Sequence, residues 1–271
     1  MLTGNRIVLR GASVLVTGAT GGIGQAIARA LDARGAQLLL TGRRDDLLDR
    51  LGSELDARTL TCDLSSREQV ERLAGDAVAA RIDVLVANAG IPASGVLTDL
   101  SADEIDRMLD VNLRAPIMLA HALSPALIAR GRGHLVFVSS LSGKAAAPAS
   151  SLYSATKFGL RGFALALRQD LAPHGVGVSL VAPGFIRDAG MFAASGVKLP
   201  PGAGTRTPSD VAAAVIRVIE SDRAELDVAP AALRAGAAFA SLAPQLAASA
   251  SRLAGSDRVS TELARRQRDQ R

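Results

Sequence analysis

Short apolar runs alternate with stretches of helical period along most of this chain, and that alternation limits the fold more than any other feature. Residues 13–17 (SVLVT), 37–41 (QLLLT), 82–87 (IDVLVA), 135–139 (LVFVS) and 176–181 (VGVSLV) predict strands. Residues 226–229 (LDVA) predict a weaker strand, and 59–62 (TLTC) predict another. Runs this continuous suit strands buried on both faces of a parallel sheet. Residues 23–34, 45–55, 67–79, 101–130, 153–172 and 209–221 predict the intervening helices. Ser101 with Glu104, and Ser66 with Gln69, have the spacing of capping boxes. Strand, helix, strand, repeated, predicts an α/β fold: a single doubly wound parallel sheet with helices on both faces. No internal repeat or inter-domain linker breaks the pattern. Residues 1–230 form one domain on this reading, and 231–271 a C-terminal helical extension with a basic tail.

The first strand runs into Thr17-Gly18-Ala19-Thr20-Gly21-Gly22-Ile23-Gly24. Glycines at a strand-to-helix turn let backbone approach a pyrophosphate, which then sits at a helix N-terminus. The phosphate-loop alternative fails, because no Gly-Lys-Ser/Thr follows. The spacing is Thr-Gly-x-x-x-Gly-x-Gly, since Ile27 stands where a Gly-x-Gly-x-x-Gly pattern needs its third glycine. An acid at the end of the second strand would grip a free ribose 2′-hydroxyl. Here the run is Leu40-Thr41-Gly42-Arg43-Arg44, with a glycine about where the acid would stand. Arginine pairs with a phosphate through its planar fork, so this favours NADP(H) over NAD(H); solvated arginines opening a helix are the plainer reading.

The chain has one tyrosine, Tyr153, and Lys157 follows it by four positions, one turn along the same helix face. An ammonium beside a phenol pulls its pKa down from about 10, which makes the pair a candidate general acid/base. Only three of the 31 basic residues are lysines: Lys144, Lys157 and Lys198. Arginine is no substitute for a compact ammonium, so a lysine at this spacing is pointed. An incidental surface pair is the other reading of the same spacing.

Other chemistry is disfavoured. The net charge of +5 is mild, and before the tail no basic cluster or aromatic stacking platform suggests nucleic-acid binding. His121, His134 and His174 are scattered, so no metal site is expected. A lone cysteine, Cys62, precludes an internal disulfide framework and suits a reducing, cytoplasmic setting. The first residues, MLTGNRIVLRG, lack the apolar core of a signal peptide.

Taken together, these motifs resemble the short-chain dehydrogenase/reductase family over roughly residues 8–230. The glycine turn, Asn88-Ala89-Gly90 after the fourth strand, Val111-Asn112-Leu113, Ser140 thirteen residues before Tyr153, Tyr153 with Lys157, and Pro183-Gly184 after the sixth strand stand in the family's order. The resemblance implies an NAD(P)-binding Rossmann-type catalytic domain that interconverts a secondary alcohol and a ketone or aldehyde. It implies that Tyr153 is the acid/base, and that Lys157 lowers its pKa and holds the nicotinamide ribose. Ser140 would hydrogen-bond the substrate oxygen, and Asn112 would hold a water in a proton relay. Gly18, Thr20, Gly22, Ile23 and Gly24 would cradle the pyrophosphate. Arg43 would meet the 2′-phosphate, while Asp63 and Leu64 would meet the adenine. Asn88, Ala89 and Gly90 would pass under the adenosine ribose, and Pro183, Gly184 and Ile186 would flank the nicotinamide. A homodimer or homotetramer is also implied. Ser139 and Ser142 are rival serines; spacing selects Ser140, and Ser139 is expected to end the strand.

One position departs from the family. Asp188 stands where a threonine usually bonds the nicotinamide amide. A carboxylate there can accept from the amide, or it can cap a short helix. The expected lid, 191–207, carries Met191, Phe192, Val197, Leu199, Pro200 and Pro201, which favours an apolar substrate. A non-catalytic NADP(H) sensor on the same fold is the alternative, and the intact Ser140, Tyr153, Lys157 and Asn112 argue against it. From about residue 231 the chain turns Ala-rich and then basic, with six arginines against three acids in 252–271. Residues 234–252 are too short and polar to span a bilayer. They suit an amphipathic helix against a membrane surface or partner subunit, or a helix packed on its own domain.

Overall fold

The computed structural model describes residues 6–92, 95–197, 199, 204–253 and 261–266. Seven strands form one parallel sheet: β1 (Ser13–Thr17), β2 (Gln37–Gly42), β3 (Arg58–Thr61), β4 (Val84–Ala87), β5 (Gly133–Val138), β6 (Val176–Pro183) and β7 (Glu225–Val228). Their order is β3-β2-β1-β4-β5-β6-β7. Each predicted strand is present, with its ends moved by at most two residues. The chain winds outward from β1 to β3 and then returns to β4 on the other side of β1. This reversal opens a crevice at the carboxyl ends of β1 and β4, where ligands of open α/β sheets bind.

Alternation along each strand feeds two cores. Val14 and Val16 enter one, with Ile27 and Leu31 of α1 (Gly22–Asp32) and Val211, Val215 and Ile219 of α8 (Pro208–Ser221). Leu15, Leu85 and Phe137 enter the other, with α3 (Arg67–Ala79), α5 (Ala115–Arg130) and α6 (Ser151–Leu171). Aromatic residues are only 3% of the chain, so these layers are Leu, Val and Ala. Phe137 against Phe163 is an exception, an edge-on pair with centroids 5.6 Å apart. The helix α2 (Asp45–Glu54) covers β2 and β3.

The single helix expected over 101–130 is divided. It runs as α4 (Ala102–Leu109), one π turn (Asp110–Arg114) and then α5. Pro116 carries no N–H and therefore cannot donate to the carbonyl four residues back. Ala115 donates instead to Asp110, five residues back, and the ladder widens at Asn112. The continuous stretch Ala102–Arg130 is long and apolar enough to cross a membrane, but Leu119, Leu123 and Leu127 are buried in the core. Ser101 and Glu104 form the full capping box. Ser66 caps α3, but the Gln69 side chain turns to accept from the Asp63 N–H, so that box is half formed.

Beyond β7 the chain continues as α9 (Ala231–Leu242) and α10 (Pro244–Leu253), which pack on each other, and residues 261–266 are helical.

Candidate active site

The glycine turn leaves β1 with Gly18 in the left-handed region at φ +66°. A Cβ there would lie 2.8 Å from Ala89 Cα, and one at Gly24 would lie 2.1 Å from the Gly18 carbonyl oxygen. Only backbone without side chains can fold this tightly, which leaves the N-terminus of α1 open to an anion. Thr17 locks the turn to the segment after β4. Its buried hydroxyl accepts from the Asn88 and Ala89 N–H groups at 3.1 Å each, and the Asn88 amide donates to the Thr17 carbonyl at 3.0 Å. Thr17 was not singled out from sequence, although it stands first in the motif.

Gly42 ends β2 as expected, for a reason beyond room for a phosphate. A Cβ on it would meet the Thr20 side chain at 2.9 Å, so any acid there would displace Thr20. Arg43 and Arg44 are exposed at this end of the crevice, and Arg44 donates to the Thr20 carbonyl. Asp63 accepts from the Ser65 N–H at 3.0 Å and hydroxyl at 2.8 Å. Burial opposes its charge most strongly, yet these bonds, with Arg43 and Arg107, hold the carboxyl below its ordinary value.

At the other end, Ser140 follows β5, and Tyr153 and Lys157 come from α6. Ser139 lies just past the strand, its N–H still paired with Val181 and its hydroxyl donating to the Lys157 carbonyl at 3.2 Å. That engagement leaves Ser140 to face Tyr153, as spacing selected. The expected effect of Lys157 on the phenol is not what acts here. Burial pushes Tyr153 above its ordinary value, and the opposing influence is a hydrogen bond with Ser140. Lys157 is itself buried and pushed down to about 8. Its Nζ donates to the Val138 carbonyl at 3.2 Å and stands 5.7 Å from the Tyr153 ring centroid. Local spacing brought the two together; desolvation of both decided the pKa directions.

Asn112 is 1% exposed in the π turn. Its side chain accepts from the Ile91 N–H at 2.8 Å and donates to the Ile91 carbonyl at 3.0 Å. It lies behind Gly90, whose missing Cβ would meet Asn112 Oδ1 at 3.4 Å and Lys157 Nζ at 3.6 Å.

One cavity of about 1120 Å³ joins these parts. Gly18, Thr20, Gly22, Ile23, Gly24, Arg43, Asp63, Leu64 and Asn88–Gly90 line one half. Ser140, Tyr153, Lys157, Pro183, Gly184 and Ile186 line the other. Among the predicted site residues, Asn112 alone does not face it. Asp188 does not face it either and caps no helix. It sits at φ +69° with an exposed side chain 3.4 Å from Arg187, and the N-cap of α7 (Gly190–Ser195) is Ala189. Met191 and Phe192 do line the cavity, Val197 and Leu199 do not, and Pro200 and Pro201 lie outside the described residues.

The wall that sequence did not place comes from the C-terminal extension. Leu233, Ala237 and Ala240 of α9, Ala247 and Ala248 of α10, and Leu263 face the same cavity as Tyr153. Their signal was an Ala-rich apolar stretch, which fits packing on a domain as well as membrane contact.

Residues 12–198 match the profile of the short chain dehydrogenase family. Ketoacyl reductase HetN of a Nostoc species is 35% identical over 227 residues, covering 81% of this chain and 79% of that protein. Nodulation protein G of a Rhizobium species is 40% identical over 185 residues, covering 67% and 76%. Among solved structures, a short-chain dehydrogenase from Sphingobium yanoikuyae in complex with NADPH superposes with a TM-score of 0.74 at 28% identity, covering 80% of this chain and 87% of that one. A metagenomic short-chain oxidoreductase in complex with NADP gives 0.71 at 35% identity, covering 83% and 99%. Profile, relatives and sheet topology agree: this chain belongs to the short-chain dehydrogenase family of oxidoreductases.

Proposed function

We propose that this protein is an NADP(H)-dependent oxidoreductase that interconverts a secondary alcohol and a ketone or aldehyde on an apolar substrate. The observation that carries the reading is the single cavity with the glycine-rich turn and Arg43 at one end, and Ser140, Tyr153 and Lys157 at the other. The cradle fits a dinucleotide, because Gly18 and Gly24 permit a turn that a Cβ at either would force apart. Gly18, Gly22 and Gly24 would hold the pyrophosphate, Arg43 the 2′-phosphate, Asp63 and Leu64 the adenine, and Asn88–Gly90 the adenosine ribose. Lys157 would hold the nicotinamide ribose, beside Pro183, Gly184 and Ile186. When bound, the nicotinamide supplies or accepts a hydride.

The chain's own residues handle the oxygen and its proton. Negative charge grows on the substrate oxygen as its carbon is reduced, and donors already fixed in place stabilise it. The Ser140 hydroxyl donates one hydrogen bond to that oxygen, and Tyr153 delivers the proton. Burial keeps the phenol protonated, which suits it to donation. Lys157 and Asn112 order the groups behind it. Phe185, Phe192, Leu233 and the alanines of α9 and α10 exclude water from the substrate end. A panel of apolar alcohols and ketones, followed by dinucleotide absorbance, should reveal turnover. Tyr153→Phe should keep NADPH binding and lose about 10²–10⁴-fold in kcat; a variant at wild-type rate overturns the assignment.

The extension also favours a membrane surface as the place of work. Phe239, which lines the cavity, and Leu242 and Leu246 of the same extension are exposed, and arginines outnumber acids seven to three over 231–271. Apolar side chains beside excess cationic charge match an anionic bilayer. The protein should sediment with phosphatidylserine-containing vesicles, and Leu242→Asp with Leu246→Asp should release it. Absence of sedimentation, or a dimer broken by the same substitutions, overturns this placement.

A further inference from the structure

The turn that carries Ser140 is held by a network whose charged members, Lys144, Arg161, Glu225 and Asp227, do not line the cavity. Ser140 opens a tight 3-10 turn, Leu141–Gly143, and its hydroxyl accepts from the Ser142 N–H at 3.1 Å. The turn presses on α6: a Cβ at Gly143 would lie 2.7 Å from the Lys157 carbonyl oxygen. The next residue is Lys144, one of three lysines in a chain that otherwise writes positive charge as arginine. Its Nζ lies 2.6 Å from Asp227 and 3.2 Å from Glu225, both on β7. Glu225 is gripped in turn by Arg161 of α6, at 2.8 and 3.1 Å. Tyr153, Lys157 and Arg161 recur every fourth residue on that helix. The Lys144 carbonyl accepts from Ser241 of α9 at 2.9 Å. One residue therefore joins the serine turn to β7, to the helix bearing Tyr153 and to the C-terminal extension.

We propose that Lys144 is a positioning residue, whose ammonium, clamped between Asp227 and Glu225, fixes the Ser140 turn against α6 and so sets Ser140 relative to Tyr153. This rests on the reading of Ser140 and Tyr153 as the groups that handle the substrate oxygen. A compact ammonium presents three donors from one point and meets two carboxylates from different directions, a geometry that a planar guanidinium does not reproduce in the same space. The side chain is mostly buried, at 11% exposure, so the pair is little screened by solvent. With Arg161 included, two cations meet two carboxylates and the cluster balances its charge.

The test is a double-mutant cycle in the full chain, with kcat, KM and dinucleotide binding measured for Lys144→Met, Ser140→Ala and the two combined. Lys144→Met should lower kcat by about tenfold to 10²-fold, the scale of a small misplacement of a reacting group. The NADPH dissociation constant should hold. The apparent pKa of the kcat/KM profile assigned to Tyr153 should rise, because the Ser140 hydrogen bond that lowers it before substrate binds loosens. In the Ser140→Ala background, Lys144→Met should add less than about twofold in kcat, since the group it positions is already gone. Losses that multiply in full, or an unchanged kcat in Lys144→Met beside a slow Ser140→Ala, overturn the positioning role alone. Ser140→Ala at wild-type rate overturns the proton-handling reading and this proposal with it. If Lys144→Met does not fold, Asp227→Ala removes the 2.6 Å contact, retains Glu225, and carries the same cycle.

Discussion

Replacing Lys157 by methionine should make the protein more stable while abolishing its turnover. Lys157 is 3% exposed, donates one hydrogen bond, to the Val138 carbonyl at 3.2 Å, and is pushed by burial from 10.5 to about 8. That displacement of about 2.5 pH units, at 1.36 kcal/mol each, is roughly 3 kcal/mol against folding wherever the lysine is charged in both states. Methionine keeps much of the stem's length and removes the charge. It also leaves the Val138 carbonyl without this donor, costing about 1 kcal/mol. The net gain near pH 7 is about 2 kcal/mol, or roughly 4–8 °C in melting temperature for a domain of this size. The gain has a pH signature. Below about pH 8 folded and unfolded chains both bind the lysine proton, and the burial cost stands in full. Between pH 8 and 10.5 the unfolded chain binds it and the folded chain does not, so wild-type stability from this group rises with pH. The advantage of the methionine variant should therefore shrink by pH 10 and disappear. Thermal melts of both proteins without dinucleotide at pH 7 and pH 10 measure it. A variant that melts lower at pH 7, or is stabilised equally at both pH values, would refute the reasoning. Retained turnover would refute the role given to Lys157.

Arg43→Ala should raise the NADPH dissociation constant about tenfold or more, roughly 1.4 kcal/mol for a charge-assisted phosphate contact, and leave that for NADH nearly unchanged. Fluorescence titration with each dinucleotide checks this, and equal effects exclude a phosphate role. Gly24→Ala brings a Cβ within 2.1 Å of the Gly18 carbonyl oxygen and forces the turn open at about 1–3 kcal/mol. Its NADPH affinity should collapse while its circular dichroism stays native, and tight binding would contradict the cradle. Cys62 is 3% exposed with its thiol pushed up to about 11, chiefly by burial. The native protein should resist alkylation at pH 8 and react promptly in denaturant; rapid native labelling would show that the thiol is reached without unfolding.

Much of the site was legible because it is local. The glycine turn, the strand-end arginines and the four-residue step from Tyr153 to Lys157 each depend on neighbours within a turn or two. Pro116 carried the reason for the π turn as well, since a residue with no N–H cannot complete an α ladder. The directions of the Tyr153 and Lys157 shifts were not legible, because desolvation depends on what β5, α6 and the glycine turn pack around them. Asp188 shows the same limit. Its place in the motif suggested the cofactor or a helix cap, and a backbone at φ +69° turns it out to solvent beside Arg187.

The sequence by itself determined the doubly wound sheet, since periods of two and 3.6 are properties of consecutive residues. The strand order, and with it the crevice at the carboxyl ends of β1 and β4, belongs to the structure. Only the tertiary structure decided that α9 and α10 close the cavity holding Tyr153, and that Lys144 reaches Glu225 and Asp227 some eighty residues away. Such contacts join segments far apart in the chain. They exist only once the sheet has fixed where those segments lie, so no local pattern encodes them.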